Sequence, residues 1–284
     1  MKYLAGLTGI VLLGALAGCF RDDFDHDGWS ESSIVFGIDQ TKNADGKLTT
    51  SVGYEMLDLR NKGWSARGFV SEDRSCWAER LDDRLGQPRV EGGVAVFKGG
   101  LLPANGIAVL ANHADDLKLD GAAWTKAGDS LTFEAQGFAM PEIPPSPFTV
   151  PSLDLTIATP ADAAAEVPVK LDQELEVAWT PSAKDAPREN VVASLTAIPA
   201  DQPNARGVEI RCFFDRLDGT GRFPTKLMSR FATLVDPSGA PGTTIKGKLH
   251  IATHRQLTIF ANGGWTVYVV ATAEQREQPF ALTR

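Results

Sequence analysis

The sequence has few of the residues and segments that build metal centres, nucleic-acid surfaces or membrane spans. Only three cysteines and four histidines occur among 284 residues. No segment reaches the roughly 20 apolar residues that a membrane-spanning helix requires. Lys and Arg total 28 against 36 Asp and Glu, and the formal net charge is −8. An acidic chain without a basic stripe repels phosphate backbones, so we expect no nucleic-acid partner.

Known catalytic motifs are also missing from the chain. It has no Gly-rich phosphate loop, no His-Glu-Xaa-Xaa-His and no Gly-Xaa-Ser-Xaa-Gly. The letters Gly-Asp-Ser-Leu at 128–131 match the nucleophile block of the GDSL esterases. That family pairs its serine with an Asp-Xaa-Xaa-His, whereas Gly247 and Ile251 stand three residues before His250 and His254. A Gly-Asp turn that leads into a strand also accounts for residues 128–131, so we expect that the protein is not an enzyme.

The amino-terminal segment has the features of an export signal. Lys2 precedes an uncharged run from Tyr3 to Ala17, which is too short to cross a bilayer and ends in small residues. Leu16-Ala17-Gly18-Cys19 resembles the lipobox of bacterial lipoproteins. The resemblance implies that residues 1–18 are removed, that a diacylglyceryl group is attached to the Cys19 thiol, and that the new amino terminus is acylated, with palmitate among the acyl chains. An ordinary signal peptide cut near Ala17 is the alternative.

A lipid on Cys19 would place the protein on a membrane of the bacterial envelope. Each buried methylene contributes roughly 0.8 kcal/mol, so two or three acyl chains hold a domain firmly. Phe20 follows Cys19. Because Asp at that place retains enteric lipoproteins in the inner membrane, Phe20 favours the outer membrane, on its periplasmic or surface face. The expected partners are the membrane and other envelope proteins.

Residues 19–32 are polar and acidic, and we interpret them as a tether. Asp23, Asp25 and Asp27 alternate before Gly28, as in the first half of a calcium loop. An EF-hand would need Glu at loop position twelve, where this chain has Ile34. A solvated tether is therefore favoured, and Ca²⁺ binding by the three aspartates is the alternative.

The rest of the chain predicts an all-β protein of two sandwich-like domains. Short alternating patterns such as Ile34, Phe36 and Ile38 indicate an N-terminal β domain over 33–140. Five prolines then fall within 141–151 and fix an extended conformation that lacks backbone donors, so we interpret this segment as a linker.

The C-terminal domain is expected at 152–284. About seven short strands separated by turns predict an immunoglobulin-like β-sandwich, with Trp179 in its core. Residues 224–232 depart from this pattern, because helical spacing follows Pro224 and predicts one short helix there.

A second resemblance agrees with this architecture. The strand with Cys212, the turn 219–221 and Pro224, together with the Gly93-Val94 strand, are similar to an uncharacterised group of two-domain, β-rich envelope lipoproteins. The resemblance covers residues 69–284. It implies no activity.

Two cysteines remain once Cys19 carries lipid. Alternation around Cys212 places its side chain on the inward face of a strand, and Cys76 lies beside Trp77 in another apolar stretch. Export permits a disulfide between Cys76 and Cys212, whereas buried free thiols are also common, so both interpretations stay open.

These observations favour a lipid-anchored envelope protein with a non-catalytic binding or scaffolding role and no cofactor beyond the covalent lipid. The alternatives are a surface carbohydrate- or Ca²⁺-binding module and a hydrolase whose site is assembled from scattered residues.

Overall fold

The computed structural model describes residues 32–42, 46–58, 69–70, 75–80, 93–110, 117–138, 140–184, 186–199, 207–240 and 242–284. These residues form β-strands and one α-helix, and none of their helices is long and apolar enough to cross a bilayer. The elements are β1 Ser32–Lys42, β2 Leu48–Asp58, β3 Phe69–Val70, β4 Cys76–Arg80, β5 Val94–Gly99, β6 Ile107–Leu110, β7 Leu117–Asp120, β8 Ser130–Ala135, β9 Ile143–Thr149, β10 Ile157–Thr159, β11 Val167–Lys170, β12 Leu175–Trp179, β13 Asn190–Ala197, β14 Val208–Asp215, β15 Thr220–Phe223, α1 Thr225–Val235, β16 Thr244–Ala261 and β17 Trp265–Thr283.

A long hairpin of β16 and β17 forms the centre of the largest sheet. Its strands have 18 and 19 residues, which at about 3.3 Å per residue makes the hairpin roughly 60 Å long. The strand order is β3-β4-β14-β13-β16-β17-β1-β2-β7, and β11 pairs with the carboxyl end of β17. One hairpin therefore provides strand surface to two hydrophobic cores.

The two cores lie along this hairpin. The first, called the tip core, is built from β1, the tip half of β17 and the four-stranded sheet β6-β5-β8-β9. Phe36 and Phe133 are fully buried there, with ring centroids 4.8 Å apart. The second, called the base core, joins β13, β14 and the other hairpin half with α1 and the sheet β10-β12-β15. Leu195 and Phe280 are fully buried in it.

The predicted all-β sandwich class with a short helix is confirmed. The helix predicted near 224–232 is α1, which begins after Pro224, whose fixed φ suits the start of a helix. Its buried side chains Leu227, Met228 and Phe231 recur at helical spacing and face the base core. Burial of this one face positions the helix against the sheets.

The predicted division into domains 33–140 and 152–284 does not match the described strands. β1 pairs in parallel with β17 from Ser32↔Trp265 to Gln40↔Ala273, and β4 pairs antiparallel with β14. Strands that precede residue 140 thus lie in the same sheet as strands that follow 152. Local periodicity specifies a strand and its buried face, but long-range pairing is not encoded in that pattern.

The segment predicted as a linker, 141–151, also differs from expectation. It contains β9, an edge strand hydrogen-bonded to β8, with Ile143 and Phe148 buried in the tip core. Its prolines are tolerated because an edge strand needs donors on one side alone. The prolines therefore end the sheet rather than separate two domains.

Candidate functional site

A mixed cluster of ionisable side chains lies where β16 and β17 pass between the two cores. His250, Glu274 and Glu277 each offer one ligand atom, and these atoms lie within 4.8 Å of one another. His250 Nδ1 is 3.4 Å from Glu277 Oε2, and Lys248 Nζ donates to Glu277 Oε1 at 2.6 Å. His250 and Glu274 are half-buried, whereas Glu277 and Lys248 are exposed, so solvent screens part of the cluster.

A β-bulge brings the two glutamates to one face. His250 is the partner of Glu277, and the register shifts so that Ala252 is the partner of Glu274. Gln275 is the extra residue, and its side chain points away: its oxygen accepts from the backbone N–H of Leu155 at 3.1 Å. A bulge changes which side chains share a face, and here it places residues three apart on the same side.

Both opposite and like charges act on the carboxylates of this cluster. Burial raises the pKa of Glu274, an effect that His250 and Lys248 oppose and that Glu277 reinforces. A hydrogen bond to Glu277 raises the pKa of Lys248. One imidazole and two carboxylates are ligands that Zn²⁺ accepts. A metal would have to displace the Lys248 ammonium, which already neutralises Glu277, so this geometry describes an ion-pair cluster.

A second polar group is buried at the junction of the two cores. Glu189 Oε1 accepts from Arg216 Nη1 at 2.6 Å, and its Oε2 accepts from the backbone N–H of Ser152 at 2.8 Å and lies 3.7 Å from Arg255 Nε. Arg255 in turn donates to the Thr149 hydroxyl at 2.7 Å.

These contacts join β16 to the chain that leaves β9. Arg216 donates to the carbonyl of Asp154 at 2.9 Å, and Arg255 donates to the carbonyl of Pro187 at 3.2 Å. The group is therefore a buried tie between the cores.

Cys76 and Cys212 are disulfide-bonded, with an S–S distance of 2.11 Å. They are direct partners in the β4–β14 ladder, and both are fully buried in the base core. The bond closes a separation of 136 residues. Of the two interpretations that the sequence left open, the structure has the bridge.

Of the other residues singled out in the sequence, some lie outside the described part of the chain, and Asp129 and Ser130 make local contacts. Cys19 and the aspartates Asp23, Asp25 and Asp27 lie outside the described residues. The exposed Ser130 donates to the Leu131 carbonyl at 3.5 Å. The carboxylate of Asp129 accepts from the backbone N–H of Lys126 at 3.1 Å, as expected of a turn.

The histidines of β16 have different environments. His254 is buried, with Phe213 edge-on at a centroid distance of 5.0 Å, and burial followed by the nearby Arg211 charge lowers its pKa to about 3. His250 joins the ion-pair cluster instead. Sequence reasoning missed Glu274 and Glu277 because their meeting with His250 depends on strand pairing and on a bulge, neither of which leaves a local pattern.

Comparisons with known proteins find little similarity. No family model matches the sequence, and no curated protein matches it. Similar solved structures include the FN1-FN3 domains of chicken CNTN1, at 12% identity and a TM-score of 0.22, covering 88% of this chain and 63% of that one. They also include fibronectin(III)-like modules of Clostridium thermocellum CbhA, at 12% identity and a TM-score of 0.18, covering 87% of this chain and 94% of that one. The chain thus spans under two thirds of the length of the chicken structure. TM-scores this low carry no argument about function.

Proposed function

We propose that this chain is a lipoprotein of the bacterial cell envelope, anchored by lipid on Cys19, with a non-catalytic binding or scaffolding role. The observation that carries the proposal is the disulfide Cys76–Cys212 in a chain whose first 18 residues resemble an export signal. Structural disulfides persist in oxidising compartments and are rare in the cytoplasm. The bridge and the lipobox-like Leu16–Cys19 therefore support the same location by independent chemistry.

The described side chains support a role without chemistry. Glu189 and the arginines Arg216 and Arg255 hold backbone groups and one another. The hydroxyl of Ser130, the serine in an esterase-like context, donates to the Leu131 carbonyl rather than to a described histidine, and a serine is activated only by a positioned base. A sandwich that presents loops and edge strands suits binding. Phe20 favours the outer membrane by the resemblance described above.

The experiment compares the full chain with its Cys19→Ala variant in a bacterial host. We expect the wild type in the membrane fraction, released by detergent and resistant to high salt, and the variant in the soluble envelope fraction. Cys76→Ala is the matched control, because it removes the disulfide and leaves the lipidation site intact. If the same fraction of Cys19→Ala and of wild type is found in the membrane fraction, the lipid anchor on Cys19 is contradicted.

The binding role is tested on the same detergent extract. Cross-linking followed by mass spectrometry should recover an envelope protein in stoichiometric amount with the wild type. A solitary species at native abundance would contradict scaffolding.

A further inference from the structure

We propose that one end of the fold, called the proximal end, contacts the lipid layer that holds the anchor. It comprises the start of β1 at Ser32, the hairpin tip 260–265 and the exposed Phe138. The occupant of this end is the headgroup and upper acyl region of the bilayer. The inference rests on the proposed lipid anchor, and its test separates failure of the anchor from failure of the contact.

The chain enters the fold at this end. Ser32 is the register partner of Trp265, the first residue of β17 after the hairpin tip. Cys19 lies thirteen residues upstream, and that length of chain spans at most about 45 Å. Because the hairpin is roughly 60 Å long, the anchor reaches the proximal end more readily than the opposite end.

The hairpin carries no charge where it approaches this end. Residues 256–273 contain no Asp, Glu, Lys, Arg or His. The remainder of the same hairpin is densely charged and includes Lys248, Glu274 and Glu277. An acidic protein is repelled by anionic headgroups, and charged side chains are costly to move toward acyl chains. Of the two halves of the hairpin, the uncharged one therefore fits a bilayer better, with Asp58 of β2 as the acidic register partner of Ser32 at the same end.

Phe260 supplies an apolar contact at the tip. Its side chain is 77% exposed, and the neighbouring tip residues 262–264 are exposed as well. Phe side chains of peripheral membrane segments are buried at the boundary between headgroups and acyl chains.

Phe138 is equally exposed, at 77%, and belongs to the same end. Phe133 lies in the middle of β8 and packs on Phe36 in the middle of β1. Trp124, six residues before β8 begins, accepts a hydrogen bond from Gln40 Nε2 at 3.2 Å, which places the approach to β8 toward the far end of β1. β8 therefore runs toward the start of β1, and Phe138 follows three residues after β8 ends.

The test uses the fact that a new cysteine is the single reactive thiol. Cys19 is a thioether once lipidated, and Cys76 and Cys212 are bonded to each other. Phe260→Cys and Phe138→Cys are each labelled with an environment-sensitive fluorophore in the lipidated full chain. The proteins are then reconstituted in phosphatidylcholine vesicles that carry brominated acyl chains.

Ile198→Cys is the matched control. Ile198 is 54% exposed and follows β13, whose Thr196 pairs with Lys248. That position lies along the hairpin roughly 40–45 Å from Phe260 at about 3.3 Å per residue. We expect bromolipid to quench most of the emission at positions 260 and 138 and little of it at 198.

Each other outcome overturns a defined part of the account. If the vesicles float and the protein does not float with them, the lipid anchor has failed. The proposed function then fails as well. Flotation with equal, weak quenching at 260, 138 and 198 refutes the lipid contact and leaves the anchor standing. The emission of the label at 260 could instead shift to the blue without quenching by bromolipid, with a shift that depends on protein concentration. That result would mean that a second copy covers this end, and it also refutes the proposal.

Discussion

Replacing Glu189 by glutamine should destabilise the protein far more than the loss of an ordinary ion pair. Its side chain is 3% exposed and faces Arg216 and Arg255, whose side chains are 16% and 8% exposed. Glutamine keeps an oxygen for the backbone N–H of Ser152 but leaves two guanidinium groups without their carboxylate. The variant therefore isolates the charge of one buried side chain.

The magnitude follows from burial. Removing one partner of a buried pair costs about 3–5 kcal/mol, because an uncompensated charge remains in the interior. A surface pair contributes roughly 0–1 kcal/mol. The matched control is Glu174→Gln, since Glu174 and Arg222 are 50% and 60% exposed and 3.5 Å apart. We expect a loss near 3 kcal/mol for Glu189→Gln and under 1 kcal/mol for Glu174→Gln.

The assay is urea unfolding followed by tryptophan fluorescence, with the free energy of unfolding extrapolated to water. Equal slopes in urea for the three proteins would show that the comparison concerns stability alone. If the unfolding free energy of Glu189→Gln lies within 1 kcal/mol of that of the control, the buried tie between the two cores does not stabilise the protein as its contacts imply.

Three further predictions concern the fold. Because burial lowers the pKa of His254 from the ordinary 6.5 to about 3, its contribution to stability is present above pH 6.5. This contribution is lost as the pH falls toward 3, at about 1.4 kcal/mol per pH unit. His254→Gln should flatten this part of the curve of unfolding free energy against pH. Parallel curves for the variant and the wild type would refute the lowered pKa of His254. The double variant Cys76→Ala/Cys212→Ala should lose roughly 4–5 kcal/mol in urea unfolding, since the bridge closes 136 residues, and an unchanged midpoint would contradict this. Gly247→Ala should cost about 1–3 kcal/mol in the same assay, because the new Cβ would lie 2.2 Å from the Thr196 carbonyl oxygen; wild-type stability would refute that packing.

Features with a local cause could be predicted from the sequence. The alternation of Ile34, Phe36 and Ile38 identifies a strand and its buried face, and all three are fully buried in β1. Pro224 and the helical spacing after it located α1. These features depend on neighbours in the chain, so a single sequence displays them.

Features that depend on distant pairing could not be predicted. The parallel pairing of β1 with β17 joins segments more than 200 residues apart, and it overturns a boundary drawn from a run of prolines. The bulge at Gln275 brings Glu274 beside His250 without a recognisable motif. Alternation placed Cys212 inside the fold, but its bond to Cys76 required knowing that β4 and β14 are neighbours.

The most direct test of the lipid anchor is the intact mass of the mature protein, extracted from its native membrane in mild detergent. If Cys19 is lipidated, the mature chain begins at Cys19 and carries a diacylglyceryl group and a further acyl chain, and it lacks two hydrogens because Cys76 and Cys212 are bonded. A chain cut near Ala17 with an unmodified Cys19 would contradict the anchor, and with it the proposed contact of the proximal end with lipid.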